Sequence, residues 1–416
     1  MIKIYGDIIL DRWEYGKTDR LSPEATVPIL LKDQIVENLG GAANVAANIH
    51  ALNVKNSILY GSLGKDASSS TLVDLLEAKN IKKHISHNSP QTTTKTRLIG
   101  NNNQHIARLD EEQHFFDQKL ADQFFTDLKK DDVVVISDYN KGLINKNFID
   151  KATTICEKVI VDPKQSASTY QNCWLIKPNL KEFEMWAGNF SVLAATDLIK
   201  KYNWSWLIVT LGKDGLFVFD NKGNHKHIKE RVKEVADVSG AGDTVSSILS
   251  YGVYQGMDIF RAAEFACRAA SKSVEKTGVS LIQYEDLVKG TVFTNGCFDI
   301  LHQGHVELLN YAKSLGKKLI VGLNSDQSVK ALKGDSRPIN NQNIRKKNLI
   351  DLGIVDDVLV FDEETPMALI NQITPDLIVK GGDYRMEEVV GKEISPICIF
   401  PRVEDFSTTK IIEEMS

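Results

Sequence analysis

From Met1 to about Gly290, short β-branched runs alternate with amphipathic stretches, the pattern of strands and crossover helices around a mostly parallel sheet. Val133 to Ser137, Val159 to Asp162 and Trp206 to Thr210 read as three of these strands. Each ends in polar or turn-forming residues, and open α/β sheets bind ligands beyond the carboxyl ends of their strands, so function is expected there. Two early segments, Ala25 to Leu31 and Thr92 to Ile99, alternate or run β-branched without helices between close neighbours. They predict a small accessory sheet suited to a lid. Near Lys289 the pattern restarts with VFTNGCFD from Val292, a helix around Val306 to Leu315 and a second strand at Leu319 to Leu323. The fold class is therefore α/β, with one domain over residues 1–289 and a smaller one over 290–416. No Pro-rich or Gly/Ser-rich linker and no internal repeat separates the halves, so they are expected to be closely joined.

Composition adds exclusions. A chain of 416 residues exceeds one ordinary core, and 42% hydrophobic with 25% charged residues is the balance of a soluble globular protein. The formal net charge of -5 is spread out, with no long basic run, so nucleic acid is not an expected partner. The five cysteines are scattered, with neither zinc-site spacing nor a disulfide framework, which fits a reducing cytoplasm. Acidic residues interrupt MIKIYGDIILDR too early for a signal peptide, and no later stretch is long enough to span a bilayer, so no membrane partner is expected.

The sharpest local signal in the first half is DVSGAGDTV, Asp237 to Val245, ahead of a helix-compatible stretch. A small-residue loop opening a helix aims several backbone N–H groups at one place, where the helix dipole favours negative charge. At the end of that loop Asp243 would bind an anion poorly but serve as a base for a substrate hydroxyl. By their own chemistry, Gly240 and Gly242 equally suit a tight turn and Asp243 a helix cap. Other motifs accompany it: GDIILD, GGAAN, SDYNKG, VDPK, NLKE and VTLGKDG. Together, and in this order, they resemble the ribokinase-like (PfkB) carbohydrate kinases, whose fold is a central mostly parallel sheet with a small β lid. The resemblance makes Asp243 the catalytic base and Gly240, Ala241 and Gly242 the anion hole for the transferred phosphoryl group. It makes Asp7, Asp11, Gly40, Gly41 and Asn44 sugar-binding residues. Asn179, Leu180, Lys181 and Glu182 match the family's NxxE motif, which organises Mg²⁺ and the nucleotide phosphates, with Glu182 acting on the metal indirectly. Without the family, Asp7 and Asp11 read as strand-end turn residues and NLKE as a helix cap. Lys164 and Arg108 fit either a phosphate contact or a solvated position.

In the second half, GCFDILHQGH sets His302 and His305 three residues apart at a strand-to-helix turn, which brings both imidazoles to one face. Two histidines on one face suit zinc, but no third ligand is closely spaced with them. Alternatively they donate to a nucleotide α-phosphate under attack. With TNGCFD, NSD, KGDSRP, KGGDY and FSTTKII, this HxGH form resembles the cytidylyltransferase-like nucleotidylyltransferases, which implies a Rossmann-like domain. By that resemblance His302 and His305 stabilise the transition state, and Lys333 and Arg345 neutralise phosphates. Ser407, Thr408 and Thr409 hydrogen-bond phosphate, while Asn295, Asp299 and Asp383 shape the nucleotide pocket. Lys330 and Lys333 also fit a solvated helix face.

The two resemblances in this order are similar to the bacterial bifunctional family that makes ADP-heptose for the lipopolysaccharide inner core. That implies ATP-dependent phosphorylation of heptose 7-phosphate at C1, then adenylyl transfer from ATP to heptose 1-phosphate, with Mg²⁺ as cofactor and a homodimer as the assembly. The same two chemistries on another surface-glycan sugar are the first rival. A non-catalytic nucleotide-sensing scaffold is the second, and retention of Asp243 argues against it. Two departures stand out: the segment bridging the halves is shorter than usual in this family, and Ser239 stands where threonine is more usual.

Overall fold

The computed structural model describes residues 1–232, 235–276, 278 and 280–401. The chain divides into two compact units: Met1–Tyr254 with Ala263–Ile282, and Gln255–Ala262 with Gln283–Ser416.

The first unit is built on a nine-stranded sheet. Its order is His225–Ile228, Leu216–Asp220, Trp206–Thr210, Leu175–Ile176, Lys158–Asp162, Val133–Ser137, Ile2–Gly6, Ser57–Ser62 and Lys83–Ser86. Pairing is parallel from Trp206–Thr210 through Lys83–Ser86, and antiparallel only over the two strands at the other edge. Central strands of such a sheet are covered on both faces, which is why Ile2–Gly6 and Val133–Ser137 are continuous apolar runs with every residue buried. Amphipathic helices Gln118–Asp127 and Lys146–Ile155 cover one face, each started by a side chain that accepts an N–H of the first turn, Asp117 from Leu120 and Asn145 from Phe148. Tyr5 stacks on Phe148 there, ring centroids 4.3 Å apart.

The accessory sheet is larger than its apolar pattern predicts. It has four strands in the order Pro28–Gly41, Ile8–Leu21, Thr94–Ile99, His105–Glu111, and the first two run 14 residues each. The sequence shows only its apolar fragments because charged residues occupy much of its length. Cross-strand pairing compensates, as between register partners Arg12 and Glu37, whose Nε and Oε1 lie 2.7 Å apart. Asp11 thus sits inside a strand and not at a strand-end turn.

The second unit carries a five-stranded, wholly parallel sheet in the order Asp357–Phe361, Lys318–Asn324, Thr291–Gly296, Leu377–Gly381, Ile397–Phe400. The helix expected from Val306 begins earlier and spans Gln303–Ser314, because His302 serves as its N-cap residue. The chain leaves the first strand, Thr291–Gly296, to build one side of the sheet and then returns to build the other from Leu377–Gly381. Those two adjacent strands flank the topological switch point, whose carboxyl-end crevice is where open α/β sheets hold ligands.

Candidate active sites

In the first unit the glycine loop opens the helix Ala241–Gln255, with Gly240 in the left-handed region at φ 76° and Asp243 in the first turn. Asp243 is buried, and its two oxygens have separate donors: Asn44 Nδ2 to Oδ2 and the Tyr139 hydroxyl to Oδ1, both at 2.9 Å. Burial pushes its carboxyl up to about 7, against the pull of the Asn44 donor, and the Asp162 charge adds to the rise. Asn44 is itself oriented, because Asn48 Nδ2 donates to its Oδ1 at 3.0 Å and so leaves the Asn44 amide N–H for the carboxylate. The preceding Gly41 has φ 57°, and a Cβ there would lie 2.4 Å from the Asp7 carbonyl oxygen. A Cβ on Gly40 would lie 2.2 Å from Asp11 Oδ2.

Asp7 stands at the carboxyl end of Ile2–Gly6 and accepts N–H bonds from Tyr139 at 2.7 Å and Lys141 at 3.2 Å. Burial, followed by the neighbouring Asp138 charge, pushes it up to about 7. Tyr139 therefore binds both carboxylates, Asp7 through its main chain and Asp243 through its hydroxyl. Asp11 pairs with Arg97 at 2.7 Å on the lid, and Arg108 is engaged by Asp110 on the exposed edge strand.

A cleft of about 620 Å³ adjoins the glycine loop. Asn179, Leu180, Lys181 and Glu182 all line it, as do Gly240 and Gly242. Asn179 and Glu182 form a reciprocal capping box at the start of Leu180–Ala187, so the helix-cap reading of NLKE is realised in the structure. Lys164 closes on Glu182 as an ion pair. Sequence reasoning passed over Lys177, which is buried, pairs with Asp162 at 3.0 Å and has its Nζ 3.6 Å from where a Gly242 Cβ would stand. Its signal was a lysine following the apolar strand Leu175–Ile176. Sharing Thr210, Gly212, Val238 and Gly242 with the cleft is a mainly apolar pocket of about 370 Å³, lined also by Ala241, Leu216, Val245 and Cys267. The two spaces together offer a phosphate-facing end and an aromatic-accepting end.

In the second unit, His302 and His305 face each other with ring centroids 3.8 Å apart. Phe298 packs on His305 at 5.1 Å and holds a left-handed φ of 44°, a strained conformation for a bulky residue that the loop imposes. Burial, then the charges of His302 and Lys333, pushes His305 down to about 4, and burial lowers His302 as well. Asn295 Oδ1 is buried with no hydrogen-bond partner among the described residues, while the His305 ring is within hydrogen-bonding reach of the Ile300 main chain. Among those residues no group of three or more His, Cys, Asp or Glu is arranged to hold a metal.

The other expected residues divide. Lys333 ends the helix Asp326–Lys333, exposed, with its charge reaching His305. Asp383 is exposed beside Tyr384. Arg345 differs from expectation in its surroundings: its side chain is fully buried and its guanidinium donates to the carbonyls of Cys297, Asn324 and Asn340 and to Asp326 Oδ1, at 2.7 to 2.9 Å. With its donors committed to those oxygens, it acts in this structure as a clamp on three loops. Asp299 has the matching role, accepting from the Ile339 and Asn340 N–H groups and pairing with Arg337 at 3.1 Å. Ser407, Thr408 and Thr409 lie outside the described residues. Lys380, the first residue of KGGDY, is buried at the switch point.

Residues 1–285 match the pfkB family carbohydrate kinase model, and residues 293–414 match the cytidylyltransferase-like model. The bifunctional protein HldE of Coxiella burnetii (strain RSA 331 / Henzerling II) is 37% identical over 461 aligned positions, covering 100% of this chain and 97% of that protein. The chain belongs to the HldE family of bifunctional proteins. HldE of a Nitratiruptor species and HldE of Helicobacter pylori (strain P12) are each 38% identical, with 100% of this chain and 98% of each relative covered. Among solved structures, phosphofructokinase-2 from Escherichia coli in complex with substrates and products matches with a TM-score of 0.60 at 18% identity, covering 69% of this chain and 96% of that one. Arabidopsis thaliana ribokinase complexed with ribose and ATP matches with a TM-score of 0.53 at 15% identity, covering 67% and 93%. These two likenesses fix the ribokinase-like fold of the first unit. Membership in the HldE family makes the chain a bifunctional enzyme, a carbohydrate kinase joined to a nucleotidylyltransferase, with ATP as a substrate.

Proposed function

We propose that the chain phosphorylates D-glycero-D-manno-heptose 7-phosphate at C1 with ATP, and transfers AMP from ATP to heptose 1-phosphate, giving ADP-heptose and pyrophosphate. The observation that carries this reading is the full-length relation to bifunctional HldE proteins, with a furnished site in each half. The kinase is assigned to residues 1–289 and the transferase to 290–416.

In the kinase half Asp243 takes the proton of the C1 hydroxyl. A buried carboxyl with a pKa raised to about 7 is matched to that task, since about half of it is ionised at neutral pH and that form is basic enough to accept. The new oxygen bond forms to the γ-phosphorus as the bond to ADP breaks, and the N–H groups of Gly240, Ala241 and Gly242, with Lys177 behind them, face the charge on the transferred group. Asp7, Asp11, Gly40, Gly41 and Asn44 form the sugar side. The apolar pocket takes the adenine.

Mg²⁺ fits the cleft in a particular way. Glu182 and Asp162 already carry lysine partners, which suits an ion held by nucleotide phosphates and water, with these carboxylates ordering the water shell. The ion would supply charge neutralisation on the phosphates.

In the transferase half an oxygen of the sugar 1-phosphate attacks the α-phosphorus and pyrophosphate departs. His302 and His305 donate to the α-phosphoryl oxygens as charge builds, Asn295 and Asp383 border the nucleotide, and Lys333 offers charge at the rim. Arg345 serves this site by fixing its loops, and Ser407, Thr408 and Thr409 are assigned to phosphate by resemblance alone. A homodimer is proposed through the lid, where Leu31, Ile35 and Leu109 are about half exposed on a small sheet. A cytoplasmic location accords with free, mostly buried thiols at all five cysteines.

The test is phosphorus NMR of the protein with ATP, Mg²⁺ and heptose 7-phosphate, then with a 7-phosphatase added. A 1,7-bisphosphate followed by ADP-heptose is the expected result. Inertness toward heptose with turnover of another sugar phosphate would replace the substrate and keep the two chemistries.

A further inference from the structure

Lys380 occupies the last part of the strand Leu377–Gly381, 7% exposed, at the carboxyl end where ligands of such sheets are held. Its Nζ donates across the switch point to the Asn295 main-chain oxygen at 3.1 Å and lies 4.8 Å above the Tyr384 ring. Among the described residues it has no carboxylate partner and no second acceptor. A buried ammonium ordinarily requires a counter-charge, because desolvating it costs several kcal/mol when it is left unpaired. Here two of its three N–H bonds have no acceptor among those residues.

The neighbourhood holds a further unsatisfied group: Asn295, whose main chain Lys380 grips, has a buried Oδ1 without a partner among the described residues, and it opens the loop leading to His302 and His305. An unsatisfied buried polar group in a native protein calls for an explanation, such as a catalytic role or a bound water or ion. The Asn295 oxygen awaits a donor, whereas the unpaired Lys380 ammonium, buried at the carboxyl end of the strands where such sheets hold their ligands, calls for a bound anion.

We propose that Lys380 directly contacts the phosphates of ATP in the transferase site, whose loop carries the two histidines. It deepens the adenylyl-transfer reading and rests on it. Burial lowers the Lys380 ammonium to about 8, with the Cys297 thiol opposing the drop, so the free enzyme carries this charge at neutral pH and gives it up in mild alkali.

The experiment uses the full chain with Lys380→Met and Lys380→Arg. Calorimetric titration with ATP, which needs no sugar, is expected to resolve two sites in the wild type. Lys380→Met should weaken one of them at least about tenfold and spare the other, as expected for loss of a charge-assisted contact. Removing an unpaired buried charge should also leave the melting temperature no lower than that of the wild type. At subsaturating ATP, kcat/KM for adenylyl transfer should decline above about pH 8 in the wild type, and Lys380→Arg should carry that decline upward, since guanidinium stays charged. Two unchanged ATP sites in Lys380→Met, a lowered melting temperature with it, or an unmoved alkaline limb in Lys380→Arg would overturn the proposal. Failure of the wild type to use heptose 1-phosphate would change the sugar while the ATP titration still judged Lys380.

Discussion

Tyr139 joins two buried carboxylates by different parts of one residue, and its hydroxyl is one of two side-chain donors that hold Asp243. A donor to the ionised form lowers a carboxyl pKa, so Tyr139→Phe should raise that of Asp243. The acidic limb of the kinase pH–rate profile should move to higher pH, with turnover near pH 6.5 reduced up to about tenfold, the worth of one hydrogen bond to a charged group. An unmoved limb in rate measurements across pH would remove Tyr139 from this role. In the second unit, His305→Ala should cut adenylyl transfer about 10²–10³-fold in a pyrophosphate-release assay, the loss typical of an oxyanion donor. Asp243 and the histidine pair stood out in the sequence because a base and its anion loop are adjacent in the chain. Lys177 and Tyr139 did not, since what defines them is burial against residues far away. The surroundings of Arg345 were hidden for the same reason: that the carbonyls of Cys297, Asn324 and Asn340 converge on this helix cation is decided by residues far from it in the chain.

At the scale of elements, the glycine pair ahead of Ala42–Ala51 joins the lid to the base. Gly41→Ala combines a positive φ with a Cβ 2.4 Å from the Asp7 carbonyl, so it should cost about 1–3 kcal/mol and displace Asn44. Denaturant melts should show the loss, and kinase activity should fall more than stability alone explains. Asn179→Ala removes one partner of the capping box and should cost about 1 kcal/mol, also read in melts. The parallel strands were legible because burial on both faces demands unbroken apolar runs. The lid was legible only in fragments, since an exposed sheet of charged cross-strand pairs has little hydrophobic period to read.

For the molecule as a whole, the proposed assignments draw each reaction from the side chains of one unit. Asp243→Asn should abolish sugar phosphorylation and leave adenylyl transfer to supplied sugar 1-phosphate intact, and His305→Ala should do the reverse. Joint loss in coupled assays would contradict that independence. The order of two recognisable families along one chain was readable without any structure, because each family's motifs are short and contiguous. The limits of the catalytic halves were less so, since the segment near Ile259–Ser273 is assigned partly to each compact unit.

The two carboxyls held near 7, Asp7 and Asp243, also bear on how the protein behaves in acid. Their folded pKa values exceed the unfolded value of 3.8, so the folded state binds more protons between the two, and their contribution to stability shrinks as pH rises from about 4 to about 7. With Asp243 in its proposed role as base, catalysis runs the opposite way, because the protonated carboxyl cannot accept a proton. Mild acid should therefore slow the kinase without loosening it at these two groups: near pH 6 the rate should fall to roughly a tenth, and a return to pH 8 should restore it at once.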